Sequence, residues 1–272
     1  MAGLLRVARN DGLLMVAILL AACGQQAAAP RSNLTAETRN ATQAPAAPAP
    51  PAKPFSVEVK DDLIEFDYSW PAEAAATPEL VQRFRAEMAK AKAELVASAE
   101  QDKAMRDKLG TDFNPFSAAT AYETAGESQR LLSLRVDSNG YTGGAHGYAS
   151  TGALLWDRQA RREIRFADLF AERSNRDRLL TQRWCDSLNK AREEKRGEPV
   201  GGRGMFDDCP ALDDVSIIPV DSNKDGRFEK LLVVASPYVA GPWVEGAYEI
   251  ELAVNADLVA ALKAEFKPSF RD

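Results

Sequence analysis

The chain has 272 residues with 34 Lys and Arg against 40 Asp and Glu, a formal charge of -6, and a single histidine. An acidic balance of this kind argues against a nucleic-acid partner, and one histidine excludes a two- or three-histidine zinc site. Nearly half of the residues are hydrophobic (45%), so most of the chain can bury a core.

The first 22 residues read as a secretory leader. Arg6 and Arg9 precede the apolar run Gly12 to Leu20, and Leu20-Ala21-Ala22-Cys23 follows at once, the order of a basic region, a short apolar region and small residues before a thiol. The run is too short for a transmembrane helix, which needs about 20 apolar residues. The reading is a bacterial lipoprotein signal, with Cys23 the acylated first residue of the mature protein and the only attachment to a membrane. The expected location is the cell envelope, facing the periplasm, and Gly24 after Cys23 points by analogy to the outer membrane in a diderm host.

Residues 23–54 are Ala- and Pro-rich and lack apolar periodicity, which suits a tether that buries no core. At about 3.1 Å per residue in a polyproline helix, it would hold the following domain well clear of the bilayer. Asn33-Leu-Thr35 and Asn40-Ala-Thr42 match a glycosylation acceptor pattern and in such a tether read as chance.

Residues 55–272 are read as one α+β domain of antiparallel sheet portions with one long and one medium helix packed on them, its two parts meeting near residue 157. Phe55, Val57 and Val59 alternate, as do Ile64, Phe66, Tyr68 and Trp70, with Lys60-Asp-Asp62 as the turn between. Thr77 is the expected N-cap of a helix of about 31 residues, with Leu80, Phe84, Met88, Ala91, Leu95, Ala99, Met105 and Leu109 as its apolar stripe and Gly110 as its stop. Strands are predicted at Ala118 to Thr124, Leu131 to Asp137, Tyr148 to Asp157 and Arg162 to Phe166. A second helix is predicted from Ser174 to Lys195, with Leu179, Leu180, Trp184 and Leu188 inward. Strands at Val215 to Val220, Phe228 to Ala235 and Tyr248 to Val254 follow, and Asn255 would cap a short terminal helix.

Cys185 and Cys209 remain as an even pair once Cys23 is acylated, and in an exported protein such a pair is expected to be joined. Asp221-Ser-Asn223-Lys-Asp225-Gly-Arg227-Phe-Glu229 has oxygen donors at the spacing of a calcium loop, the backbone of Arg227 included, but its twelfth position is Leu232 rather than Glu. An Asp-Gly turn between two strands is equally an ordinary hairpin connection. Calcium is therefore the one possible cofactor, and otherwise none is expected. The neighbours Asp61/Asp62, Asp207/Asp208 and Asp213/Asp214 would face opposite ways on a strand and read as solvated turns.

Tyr141-Thr-Gly-Gly-Ala-His-Gly-Tyr148 and Ser236-Pro-Tyr-Val-Ala-Gly-Pro-Trp-Val-Glu-Gly-Ala-Tyr-Glu-Ile250, with Ala167-Asp-Leu-Phe170 between them, resemble the markers of the RsiV-type extracytoplasmic domain. That domain is found in the anti-sigma factor RsiV and as an accessory module of PdaC-type peptidoglycan deacetylases. The resemblance covers about Phe55 to Val254 and implies a domain outside the cytoplasmic membrane, which in RsiV binds lysozyme. Neither a sigma-binding segment nor a deacetylase domain stands beside it here, so a binding role is what the resemblance implies. Thr142, Gly143, Gly144, His146, Tyr148, Tyr238, Trp243 and Tyr248 are the candidate contact residues. The same aromatics could equally clasp the two loops to each other. No residue is given a catalytic role: there is no Gly-x-Ser-x-Gly elbow and no phosphate-binding loop. The favoured function is non-enzymatic binding of a protein, lysozyme-like in one version, or of a cell-wall ligand. The alternative is a hydrolase, or a deacetylase-associated enzyme, acting on peptidoglycan or glycans.

Overall fold

The computed structural model describes residues 51–200 and 204–272. The leader, the lipidation site Cys23 and nearly all of the tether lie outside the described residues. The described residues belong to one compact unit, mixed α+β as expected, with nine strands in two sheets and four helices among them. None of those helices is long and apolar enough to cross a membrane.

The first sheet has six strands in sequential order: β1 (Phe55–Lys60), β2 (Ile64–Trp70), β3 (Phe116–Glu127), β4 (Leu131–Tyr141), β5 (Tyr148–Asp157) and β6 (Arg162–Ile164). Asp61 makes the first turn by accepting from the backbone N–H groups of Leu63 and Ile64, each at 2.8 Å. Between β2 and β3 come a one-turn helix, α1 (Ala72–Ala75), and the 32-residue α2 (Pro78–Leu109). Because a helix intervenes, β2 and β3 run parallel, a departure from the all-antiparallel expectation and the ordinary result of a helical crossover. β3 and β4 also extend beyond their predicted bounds, as their pairing continues to Ser117 and Tyr141.

The stripe on α2 is buried at Leu80, Phe84, Leu95 and Ala99, but Met105 and Leu109 are exposed. Thr77 precedes α2 without a side-chain capping bond, whereas Gly110 ends it in the left-handed conformation. A further helix, α3 (Arg173–Arg196), leads to the second sheet, β7 (Ser216–Val220), β8 (Lys230–Ala235) and β9 (Tyr248–Ala253), followed by α4 (Ala256–Ala261). Asn255 caps α4 as expected, its side chain accepting from Leu258 N–H at 3.0 Å.

Two hydrophobic clusters result, and the β4–β5 pair feeds both. Leu132, Leu134, Leu154 and Trp156 join the cluster under α2, while Leu131 and Leu155 join the one built on α3 and β7–β9. Alternation along a strand sends neighbours to opposite faces, so one hairpin serves as a shared wall. Under α2, Phe84 stacks on Tyr122 at 4.0 Å between ring centres. The inward row of α3 reads Arg176, Leu180, Trp184, Leu188, Arg192, all buried.

Candidate functional site

The two motif loops are the connections β4–β5 and β8–β9, and the structure brings them together. The first turns through Gly143 and Gly144 at φ +89° and +96°, a region that L side chains rarely adopt. At Gly147 a Cβ would lie 2.3 Å from the Gly140 carbonyl oxygen, so the strand ends can only close on a glycine. The second loop is tied to β5 at its start: Thr151 N–H donates to Ser236 Oγ at 3.0 Å, and Ser216 Oγ donates to the Thr151 carbonyl at 2.8 Å. Tyr238 then sits at φ +71° without being glycine, a strained conformation that costs on the order of 1–3 kcal/mol.

His146, Tyr238 and Trp243 meet across the loops. The imidazole stacks on the indole at 4.6 Å between ring centres with 15° between planes. Its Nε2 lies 3.1 Å from the Tyr238 hydroxyl and its Nδ1 2.7 Å from the Gly147 carbonyl. A carbonyl oxygen only accepts, so Nδ1 is the donor in that contact. His146 and Tyr238 are nevertheless exposed and Trp243 only partly buried, so the contact is a clasp made of surface groups. Val244 is 89% exposed beside it. Thr142 and Gly144 are exposed in the same loop, and Tyr148 is exposed where the loop rejoins β5.

Tyr248 is placed differently from expectation. It is 2% exposed and belongs to the support beneath the loop. Its hydroxyl donates to Glu245, and Lys195 Nζ lies 4.1 Å from its ring centre. Burial, then the Glu245 carboxylate, pushes the Tyr248 hydroxyl up to about 12. For Glu245 burial opposes ionisation, but the Arg196 guanidinium and the Tyr248 hydroxyl outweigh it and hold the carboxyl below the ordinary carboxylate range.

The C-terminal turns of α3 grip this loop in a way that sequence reasoning missed. Arg192, fully buried, donates from Nε to Ala240 O at 3.0 Å and from its terminal nitrogens to Asp207 O and Asp208 O at 3.2 and 3.0 Å. Lys195 donates to the carbonyls of Glu245 and Ala247 at 2.7 and 2.9 Å, and Arg196 Nε to Glu245 at 2.9 Å. The signal was available: Arg176 and Arg192 extend the Leu180, Trp184, Leu188 row by one i+4 step each way. Cys185 and Cys209 are joined by a disulfide with Cα atoms 5.5 Å apart, and Trp184 Nε1 donates to Pro210 O at 3.0 Å. The segment entering β7 is thereby pinned to the same helix.

Between the β4–β5 pair and the β8–β9 loop lies a cleft of ≈ 530 Å³, lined among others by Asp137, Asn139, Ala149 and Thr151 on one wall and Trp243 and Glu245 on the other. Two positions before Asp137 on β4, Arg135 pairs with Glu249 through both terminal nitrogens at 2.8 Å. Asp137 accepts from Arg135 Nε and Thr151 Oγ1, both at 2.6 Å.

The Asp221–Glu229 segment is a hairpin connection between β7 and β8. Its side-chain oxygens turn on their own backbone. Asp221 accepts from Asp225 and Gly226 N–H, Asn223 from Asp225 N–H, Asp225 from Arg227 N–H, and Glu229 from Ser222. Asp225 also pairs with Arg271 at 3.1 Å. Among the described residues no group of three or more His, Cys, Asp or Glu side chains could hold a metal ion. The segment thus forms the hairpin connection that the sequence allowed, and the oxygens of Asp221, Asn223, Asp225 and Glu229, with the Arg227 carbonyl, are the donors that the calcium reading named. The other acidic neighbours are also tied into the fold: Asp213 pairs with Arg176 at 2.9 Å, and Asp207 with Arg196 at 3.2 Å.

Residues 57–149 match the family model described as deacetylase PdaC. That span runs from β1 to the start of β5; it takes in the Gly-Gly-Ala-His loop and stops before the second motif. The chain is also similar to two solved structures. One is a member of the DUF3298 family from Bacteroides fragilis, at TM-score 0.44 and 13% identity over 80% of this chain and 96% of that one. The other is a DUF3298 family protein from Pseudomonas aeruginosa PAO1, at 0.43 and 12% over 77% and 97%. No curated protein matches.

Proposed function

We propose that the chain is a lipid-anchored envelope protein whose RsiV-like domain binds a protein or cell-wall ligand without turning it over. The observation that carries this reading is the exposed His146–Tyr238–Trp243 contact, formed by two separate loops and braced from below by Arg192, Lys195 and Arg196. Aromatic rings held rigid at a surface lose little freedom when a partner covers them, which is why such residues dominate binding energies. Strain at Tyr238 agrees, because strained backbone tends to be kept where it is used.

The match of residues 57–149 to a model described as a deacetylase favours a second reading, in which the domain serves beside a peptidoglycan-modifying enzyme. One experiment separates the two. Purified protein is incubated with lysozyme and with insoluble peptidoglycan, and both retention and product release are measured. Retention without product supports binding, and release of acetate or soluble fragments refutes it. The anchor is tested apart: radiolabelled palmitate should enter the wild type and not Cys23→Ser, and an unlabelled soluble wild type would remove the lipid from the proposal.

A further inference from the structure

We propose that the cleft beside Trp243 is a subsite for a neutral saccharide; this rests on the binding reading above and names the ligand chemistry of the same surface. Three features of the cleft carry it. The His146 imidazole stacks on the Trp243 indole, which holds the ring in place, and Trp243 is among the residues that line the cleft. A fixed indole is a platform for the C–H face of a pyranose, since it offers apolar area whose ordering has already been met. Across the cleft, Asn139 stands exposed on β4, its carboxamide without a hydrogen-bond partner among the described residues, and Ala149, its cross-strand neighbour, keeps the floor low between them. A carboxamide both donates and accepts, which suits hydroxyl and acetamido groups.

The charges select the class. The carboxylates that line the cleft, Asp137 and Glu245, are paired with Arg135 and Arg196 respectively. They can accept from sugar hydroxyls, but among the described residues no Lys or Arg lines the cleft, so an acidic sugar would gain no partner there and would approach two carboxylates. The volume of ≈ 530 Å³ falls within the range of small-molecule sites, about 300–1,000 Å³.

The test is titration of the soluble domain together with its tether by chitotetraose, with a heparin-derived tetrasaccharide as the acidic counterpart. Saturable binding of chitotetraose is expected, weaker by about tenfold or more in Trp243→Ala and by about threefold to tenfold in Asn139→Ala. Asn139 is an exposed strand residue outside the clasp, so its variant remains informative if Trp243→Ala fails to fold. Absence of chitotetraose binding, affinity unchanged in both variants, or tighter binding of the acidic tetrasaccharide would each overturn the proposal. Retention of lysozyme or peptidoglycan, measured on the same preparations, distinguishes the failures. If retention persists and depends on His146, only the saccharide subsite is lost; if retention also fails, the binding reading falls with it.

Discussion

The two hairpin connections of the second sheet solve the same problem in opposite ways. Asp221 to Glu229 folds its polar side chains mainly back onto its own N–H groups, with Asp225 also pairing with Arg271. The loop from Ser236 to Ala247 closes turns of its own, such as Tyr238 N–H to Gly241 O and Gly246 N–H to Trp243 O, but is also gripped from outside. Its carbonyls at Ala240, Glu245 and Ala247 are taken by α3, and its aromatics lean on the β4–β5 loop. A loop held from outside can keep large side chains at the surface, because it does not need them for its own closure. The first loop is thus a connection and the second a platform.

Removing the outside support should produce the largest effect. Arg192→Ala leaves three carbonyls without their donor and opens a cavity, and a loss of about 3–5 kcal/mol is expected in a chemical denaturation curve. If the loss were below about 1 kcal/mol, α3 would not be what holds the platform. Next comes the disulfide: the paired substitution Cys185→Ala and Cys209→Ala should cost about 3–4 kcal/mol on the chain-entropy account, read in the same way. The contrasting loop should respond to neither change, and hydrogen exchange at Asp225 and Arg227 would show this.

A double-mutant cycle on His146→Ala and Trp243→Ala addresses the clasp itself. Coupling in stability of about 0.5–1.5 kcal/mol is expected for stacked rings. Coupling near zero would mean that the loops meet without holding each other. If stability were strongly coupled and partner affinity unchanged, the platform would be structural alone.

Glu245 gives a smaller effect with a defined sign. Its carboxyl is held below the ordinary range in the folded state, so its contribution is fully present above that range and is lost as pH falls through the depressed value. Glu245→Gln should flatten the acid limb of the stability curve and leave neutral pH as its main cost. An unchanged acid limb would contradict the assignment. The smallest response is expected from the Asp221–Glu229 loop. Millimolar calcium should leave the melting temperature unmoved, because an ion that binds only the folded state must raise it. A rise that is abolished by Asp221→Asn would place a metal there.

Alternation and punctuation made most of the elements legible. Ile64 to Trp70 reads as a strand from its own residues, and Gly110 marks the end of α2 because left-handed backbone favours glycine. The parallel β2–β3 pair was not legible, since local pattern carries no partner information. Loop residues behaved in the same way. His146 and Trp243 were visible as candidates, but whether they touched each other depended on the path of two loops 90-odd positions apart. Tyr248 looked equivalent to Tyr238 in composition, and its burial follows only from lying on β9 against α3. Arg192 was hidden by its charge, because buried arginines are rare enough that a basic residue on a helix is read as solvated.

Parallel pairing of β2 with β3 also sets an order of assembly. Every other neighbour pair in the six-stranded sheet is a hairpin between consecutive strands, closing short segments, whereas Ile64 meets Phe116 only across both intervening helices. Closing the longer segment costs more chain entropy before any contact rewards it. Refolding should therefore protect the β4–β5 amides first and leave β1–β2 waiting on the docking of α2. In a newly exported chain the shared wall would already stand, with the edge of β3 briefly open, while the N-terminal hairpin was still searching for its place.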